Sequence, residues 1–483
     1  MWALWMAGCA VGPDFLRPGP PAVDRYTPGT EPTDTVSAEG QAQRFRSDEG
    51  AGLAADWWRL FSSPQLDAVV AEALRRNPGL EAAQWSLRRS QDNLRAGYGV
   101  FFPQADAGFS PTRQLFNPMH FGQTAAPSTI FNLFTLSSTV NLALDVFGAQ
   151  RRTVEGLSAD VDTQRYVALG TYLTLSGNVV NAMVARAGYV AAIQATEDLI
   201  AAEQEQLHIT EVQAEAGIVP EVNALAIKSQ LAATTATLAP LRQRVSQTDH
   251  LLATLVGVPP AEWTTPPVGL ADLSLPVDLP VTLPSDLVRQ RPDIIAAEAE
   301  LHSSSAAIGV ATAALFPSFT LSGSGGLSNT VFTSLPTAAS AFWVVGANIT
   351  TPLFHGGTLW FQRKAAIDAY QQTLANYRQT VLSALAQVAD VLRALEHDAE
   401  ALQAQSEALA AAAETLRLIQ VNYQAGTANY LQVLIANAQY HQAILGEVQA
   451  KTQRLQDTAA LFVALGGGWW NGNVLLPAAS DGR

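Results

Sequence analysis

Few side chains in this 483-residue sequence have the type and spacing to do chemistry. Seven histidines (His120, His208, His250, His302, His355, His397 and His441) are scattered along it. None forms the His-x-x-x-His pair that sets two imidazoles on one helix face for a metal. The glycine run GSGG from Gly323 lies where the sequence alternates like a strand, so it lacks the strand–turn–helix setting of a phosphate loop. These patterns argue against an enzyme, and neither a metal nor a cofactor is expected. Cys9 differs. As the only cysteine it can make no internal disulfide. Small residues lead into it in Met6-Ala7-Gly8-Cys9, as at a bacterial lipoprotein processing site, where the thiol becomes a lipid attachment point. The alternative is an inert free thiol. A signal segment normally has a charged start and a longer apolar core than the eight residues before Cys9, so the expectation is a start further upstream.

Composition narrows the possible partners. The net charge is -14, from 28 basic and 42 acidic residues, and only 14% of residues are charged. A nucleic-acid partner would want a basic face, so none is expected. No stretch supplies the roughly 20 continuous apolar residues of a membrane-spanning helix. A bilayer could therefore be reached only through a lipid or a β-barrel.

The sequence is written twice. RRNPGLEAAQWSLRR around Pro78 is answered by RQRPDIIAAEAELHS around Pro292, 214 positions later, and Pro103 is answered by Pro317 at the same offset. Gly217 in EAGIVPEVNAL and Gly426 in QAGTANYLQVL are 209 apart, as are Gly257 and Gly466. Such landmarks mark a tandem unit of about 210 residues. The expected organisation is a signal remnant, lipid site and Pro-rich tether over 1–50, a first repeat over 51–257, a linker over 258–284, a second repeat over 285–470 and a tail over 471–483. The linker carries seven prolines and reads as an extended connector. Six prolines between Gly12 and Pro32 suit a tether.

Each repeat reads as a helix, two strands, a very long helix, a glycine turn and a return helix. From Ile130 to Val146 the even positions Phe134, Leu136, Val140, Leu142, Leu144 and Val146 are apolar, while Thr135, Ser137, Thr139, Asn141 and Asp145 are polar. The second repeat sets Trp343, Val345, Ala347, Ile349 and Leu353 on the matching face, and Ser318, Thr320, Ser322 and Ser324 alternate with Phe319 and Leu321. A membrane barrel needs this alternation, and so does a soluble sandwich with one face on a core. The stretch from Gly356 to Gln424 has no proline and an apolar seam every seven residues: Ile367, Leu374, Val381, Val388, Leu395, Leu402, Leu409, Leu416 and Tyr423. The matching helix, about 148–213, has a less regular seam. At 1.5 Å per residue each is roughly 100 Å long. Four strands cannot close a membrane barrel, whose smallest members have eight. An open edge in lipid costs several kcal/mol per unpaired backbone group. If the strands enter a membrane, several copies must share one barrel, eight strands from two or twelve from three.

GCAVGPDFLRP, DWWRLFSSPQLDAVVAEALRRNP, the paired Phe-Pro strand entries, QAGTANYLQVL and the terminal ALGGGWW together resemble the TolC-like outer-membrane efflux lipoproteins, over almost the whole chain. That resemblance implies a mainly α fold with a membrane β-barrel part. It implies a homotrimer with a twelve-stranded barrel in the bacterial outer membrane, lipid-anchored at Cys9, above an α-helical periplasmic tunnel. It implies a passive conduit for small molecules, serving a periplasmic adaptor protein and an inner-membrane efflux pump. The tips that would meet the adaptor are Gly217, Gly426 and Thr427. The periplasmic aperture would be formed by Asn223, Tyr430, Gln432 and Ile435. The family commonly carries acidic groups just after each turn. Asn223, Gln432 and Ile435 are neutral, which implies a closure held by hydrogen bonds rather than ion pairs. Two other functions compete: a channel of this shape for protein secretion, and a coiled-coil lipoprotein spacer with no pore. A spacer has no use for amphipathic strands repeated in phase.

Overall fold

The computed structural model describes residues 10–29, 33–46, 53–121 and 127–472, so Cys9 lies outside the described residues. The elements are β1 (Arg44–Arg46), α1 (Pro64–Arg76), α2 (Pro78–Tyr98), β2 (Gln104–Phe116), β3 (Thr129–Leu144), α3 (Ala149–Glu215) and α4 (Glu221–Val256). They continue with β4 (Asp278–Pro280), α5 (Pro284–Gln290), α6 (Pro292–Ala313), β5 (Ser318–Asn329), β6 (Ala341–Thr350), α7 (Thr358–Gln424) and α8 (Tyr430–Ala464). The run α2-β2-β3-α3-α4 is thus repeated by α6-β5-β6-α7-α8, and both long helices have 67 residues. Two compact units form. One gathers Met1–Pro18, Leu87–Gln164 and Ala297–Tyr377, the other Gly19–Ser86, Arg165–Ala296 and Arg378–Arg483.

The first unit holds a four-stranded antiparallel sheet in the order β2-β3-β5-β6. A strand from each half of the chain meets at its centre, where Val140 lies opposite Gly323 and Leu136 opposite Leu327. Gly326 permits this close pairing, since a Cβ there would stand 2.1 Å from the Leu136 carbonyl oxygen. Val146 and Leu353, read from the sequence as continuing their strands, lie beyond the strand ends. Residues 10–17, expected within a loose tether, are packed instead. The Val11 amide donates to the Phe147 carbonyl at 3.1 Å. Arg152 donates to Asp14 at 2.6 Å, Phe15 stacks on His302 at 4.4 Å, and Arg17 donates to Glu298 at 2.6 Å. Gly12, at φ +97°, lies so close to Gly309 that a Cβ would clash with its Cα.

The second unit is helical. Its core joins Trp57, Phe61, Leu66, Val179, Val180, Met183, Val388, Leu395 and Phe462. α1 starts where Ser63 caps it and Pro64 takes the first turn, a position that needs no amide hydrogen. The duplicated joints are held alike. The Asn77 amide donates to the Leu255 carbonyl at 2.8 Å, and the Arg291 guanidinium donates to the Ala464 carbonyl at 3.0 Å. A residue just before a helix-starting proline thus captures the last turn of a return helix in each half. The heptad seam of α7 packs inward: Val381, Val388, Leu395 and Leu402 are buried, and the remaining five are half-buried. One window of α3 reaches the apolarity of a membrane span, contrary to the sequence expectation, but 61% of it is buried inside the chain. Its apolarity serves packing. Residues 258–284 also join the core, through Val258, Val268, Leu273 and Leu279, and β4 pairs in parallel with β1.

Candidate functional site

Partners directly opposite across an antiparallel sheet share a face. The pairs Val140–Ala105, Leu136–Phe109 and Ile130–Leu115 put β2 in phase with β3. Leu142–Leu321, Leu144–Phe319, Phe319–Ile349 and Leu321–Ala347 carry that phase through β5 to β6. One face is therefore apolar in both halves and bare, with Trp343 78% and Val345 76% exposed. The opposite face runs through Asp106, Ser137, Thr139, Asn141, Ser318, Thr320, Ser322 and Asn348, with hydroxyls and amides predominating. Exposed rings of Phe102 and Phe316 stand just before β2 and β5, and those of Phe354, Trp360 and Phe361 just after β6, at the junctions of strands with helices. An apolar band with flanking aromatics suits lipid, and a polar reverse suits water. The outer strands β2 and β6 each have a partner on one side only.

The hairpin turns are built alike. Gly217 sits at φ +71° and Gly426 at φ +74°, a left-handed conformation that glycine adopts without strain. The Gly217 and Ile218 amides donate to the carbonyls of Ala214 and Gln213, both at 2.9 Å. Those of Gly426 and Thr427 donate to Tyr423 and Asn422, at 3.0 and 2.9 Å. Both are Schellman closures that satisfy the last carbonyls of a helix. The Thr427 hydroxyl adds a bond to the Asn422 carbonyl at 3.0 Å. Around these turns Ile218, Val222, Leu225 and Leu431 are exposed apolar groups.

The four expected aperture residues fare differently. Ile435 is half exposed and Asn223 partly so. Gln432 is exposed, yet its side chain accepts from the Asn429 amide at 3.0 Å while its own amide donates to Asn429 Oδ1 at 3.1 Å. It closes a capping box that starts α8. Tyr430, expected with them at the aperture, is the least exposed of the four. It is buried with Ile227 and Val433, edge-on to Tyr423 at 5.7 Å, because the restarting helix turns this side chain inward. Burial holds its phenol well above the usual range.

Beneath these turns lies a residue that the sequence did not single out. Glu203 of α3 is 3% exposed and accepts from the Thr234 hydroxyl at 3.2 Å, while its second oxygen is buried without a hydrogen bond. Burial raises its pKa, against the pull of Thr234 and Gln230. Glu203 sits in Ala-Ala-Glu-Gln-Glu-Gln, where nothing local distinguishes it from Glu205 two residues on as the buried one. The capping box, by contrast, has a local signal in the Asn-x-x-Gln spacing of Asn429 and Gln432. Among the described residues, no group of His, Cys, Asp and Glu is gathered to hold a metal.

A two-faced antiparallel sheet with its apolar side bare, carried with long helical hairpins, defines an outer-membrane channel subunit. The outer membrane efflux protein family model matches residues 69–258 and 283–467, and the chain belongs to this family. It is 27% identical over 416 residues to the pyoverdine export outer membrane protein OpmQ of Pseudomonas putida, covering 86% of this chain and 88% of that one. It is 26% identical to the cation efflux system protein CusC of Escherichia coli O6:H1 across 97% of each chain. The solved outer-membrane channel OprN superposes with a TM-score of 0.84 at 26% identity, over 95% of this chain and all of that one. The Campylobacter jejuni CmeC channel shares the fold, with a TM-score of 0.83 at 18% identity. The protein is an efflux channel subunit of the outer membrane, in a family of channels rather than enzymes.

Proposed function

We propose that three copies of this chain close a twelve-stranded barrel and pass small molecules outward from an adaptor and an inner-membrane pump. The observation that carries this is the four-stranded sheet with a bare apolar face and two open edges. Such edges are costly in lipid unless another copy pairs with them. The relatives' names, pyoverdine export and cation efflux among them, support a small-molecule cargo. The repeats of 51–257 and 285–470 would each supply one hairpin, tipped by Gly217 and by Gly426-Thr427, as adaptor contacts. Asn223, Gln432 and Ile435 would give an aperture closed by neutral polar and apolar contacts, with less bias against anions than a carboxylate ring. Cys9 would carry lipid. Ala10, the next residue, lies against Gly148 just past the end of β3, which supports anchorage near one rim of the sheet.

A photo-crosslinker at Thr427 in intact cells, with captured proteins identified by mass spectrometry, tests the proposal. Capture of a periplasmic adaptor is the expected result. Capture of other copies of this chain alone would remove the adaptor assignment, and capture of a secreted polypeptide would favour protein export.

A further inference from the structure

We propose that Asp398 of α7 and Asp457 of α8 share one proton and act as a pH-sensitive clasp between these two helices. Asp398 follows the buried seam residue Leu395, and Asp457 stands between buried Leu455 and Thr458. Oδ2 of Asp398 is buried and receives no hydrogen bond from any donor. What faces Asp398 is the carboxyl of Asp457, within side-chain hydrogen-bonding reach. Two ionised carboxylates cannot bond to each other, whereas one proton turns an orphaned acceptor into a donor and removes one charge from the contact. Asp457 Oδ2 also accepts from the Gln453 side-chain amide at 2.8 Å.

The surrounding charges make this contact sensitive. Arg454 is one turn before Asp457 and 1% exposed. Its guanidinium is spent on neutral acceptors, Gln43 Oε1 at 3.1 Å, Thr35 Oγ1 at 3.3 Å and the Gln41 carbonyl at 3.3 Å. Glu39, which also acts on Arg454, is bound to Lys451. With one shared proton, the two aspartates and Arg454 sum to zero charge. Without it, two negative charges face each other across the helix pair. Burial, then the Asp457 contact, pushes Asp398 up to about 7, and Arg454 opposes this only in part. The sign follows from the raised value. The stability tied to the shared proton declines as pH rises from the ordinary aspartate range, and the clasp itself is lost as pH passes through about 7.

The test uses the full-length purified protein. Infrared difference spectra between about pH 5.5 and 8.5 read the protonated-carboxyl stretch, and hydrogen exchange, corrected for its intrinsic pH dependence, reads protection along α7 and α8. The expected result is a carboxyl band lost with a midpoint near 7 and absent in Asp398→Asn. Protection at 392–402 and 451–461 should fall by up to about tenfold per pH unit approaching that midpoint, the limit for one proton. It should stay flat in Asp398→Asn, whose amide can donate to Asp457 at every pH. Should that variant fail to assemble, Asp457→Asn makes the same comparison from the other side. Absence of a carboxyl titrating near neutrality, a titrating band with unchanged protection, or an Asn variant that keeps the wild-type slope would each overturn the clasp.

Discussion

At the residue scale, two positions carry sharp consequences. Gly426 has open space around its missing Cβ, so only its left-handed backbone resists substitution. Gly426→Ala should cost about 1–2 kcal/mol locally and Gly426→Asn less, because asparagine tolerates this conformation. Hydrogen exchange of the turn amides measures the difference. Glu203 tests the buried carboxyl beneath the tips. Since burial raises its folded-state pKa, the stability it permits is full below the usual carboxylate range and declines as pH rises through the raised value. Glu203→Gln should therefore flatten the pH dependence and be the more stable form at alkaline pH, as read by thermal melts across pH.

At the element scale, the sheet is defined by the difference between its faces. Val345 lies on the bare apolar side, and Ser322 on the polar side. Val345→Arg should cost about 2–4 kcal/mol if it meets the bilayer midplane, whereas Ser322→Lys should leave insertion intact and shift ion selectivity. Outer-membrane fractionation of both variants, with single-channel conductance for the second, distinguishes a lipid-facing sheet from a soluble one. The helices follow another rule. α7 shows its seam as a strict heptad because its neighbours contact a single stripe. α3 is buried on more than one side between Ala168 and Ala187, which blurs any period in its sequence.

At the scale of the whole molecule, the repeats are interleaved rather than laid end to end. Each compact unit draws on both halves of the chain, and the central sheet pairing joins β3 to β5. The N-terminal segment is tied down by Asp14, Phe15 and Arg17, so the lipid proposed at Cys9 is not the only attachment of that end to the body. Cys9→Ala should accordingly leave a protein that still reaches the outer membrane with part of its export activity. Complete loss from the outer-membrane fraction would show that insertion itself depends on the thiol.

Local physics wrote much of this protein into its sequence. Strand alternation, the seam of α7, the helix starts at Pro78 and Pro292 and the turns at Gly217 and Gly426 all follow from backbone geometry and side-chain period. Those rules act within a few residues, so they can be read in order along the chain. Contacts between distant segments left no such mark. Nothing near Asp398 announces Asp457, nothing near Glu203 announces its burial, and the prolines around Asp14 disguise a packed segment as a tether. The inward turn of Tyr430 belongs with these. Its place after the glycine was visible, but its direction depended on which helices came to surround it, and only the tertiary structure decides what a side chain is buried against.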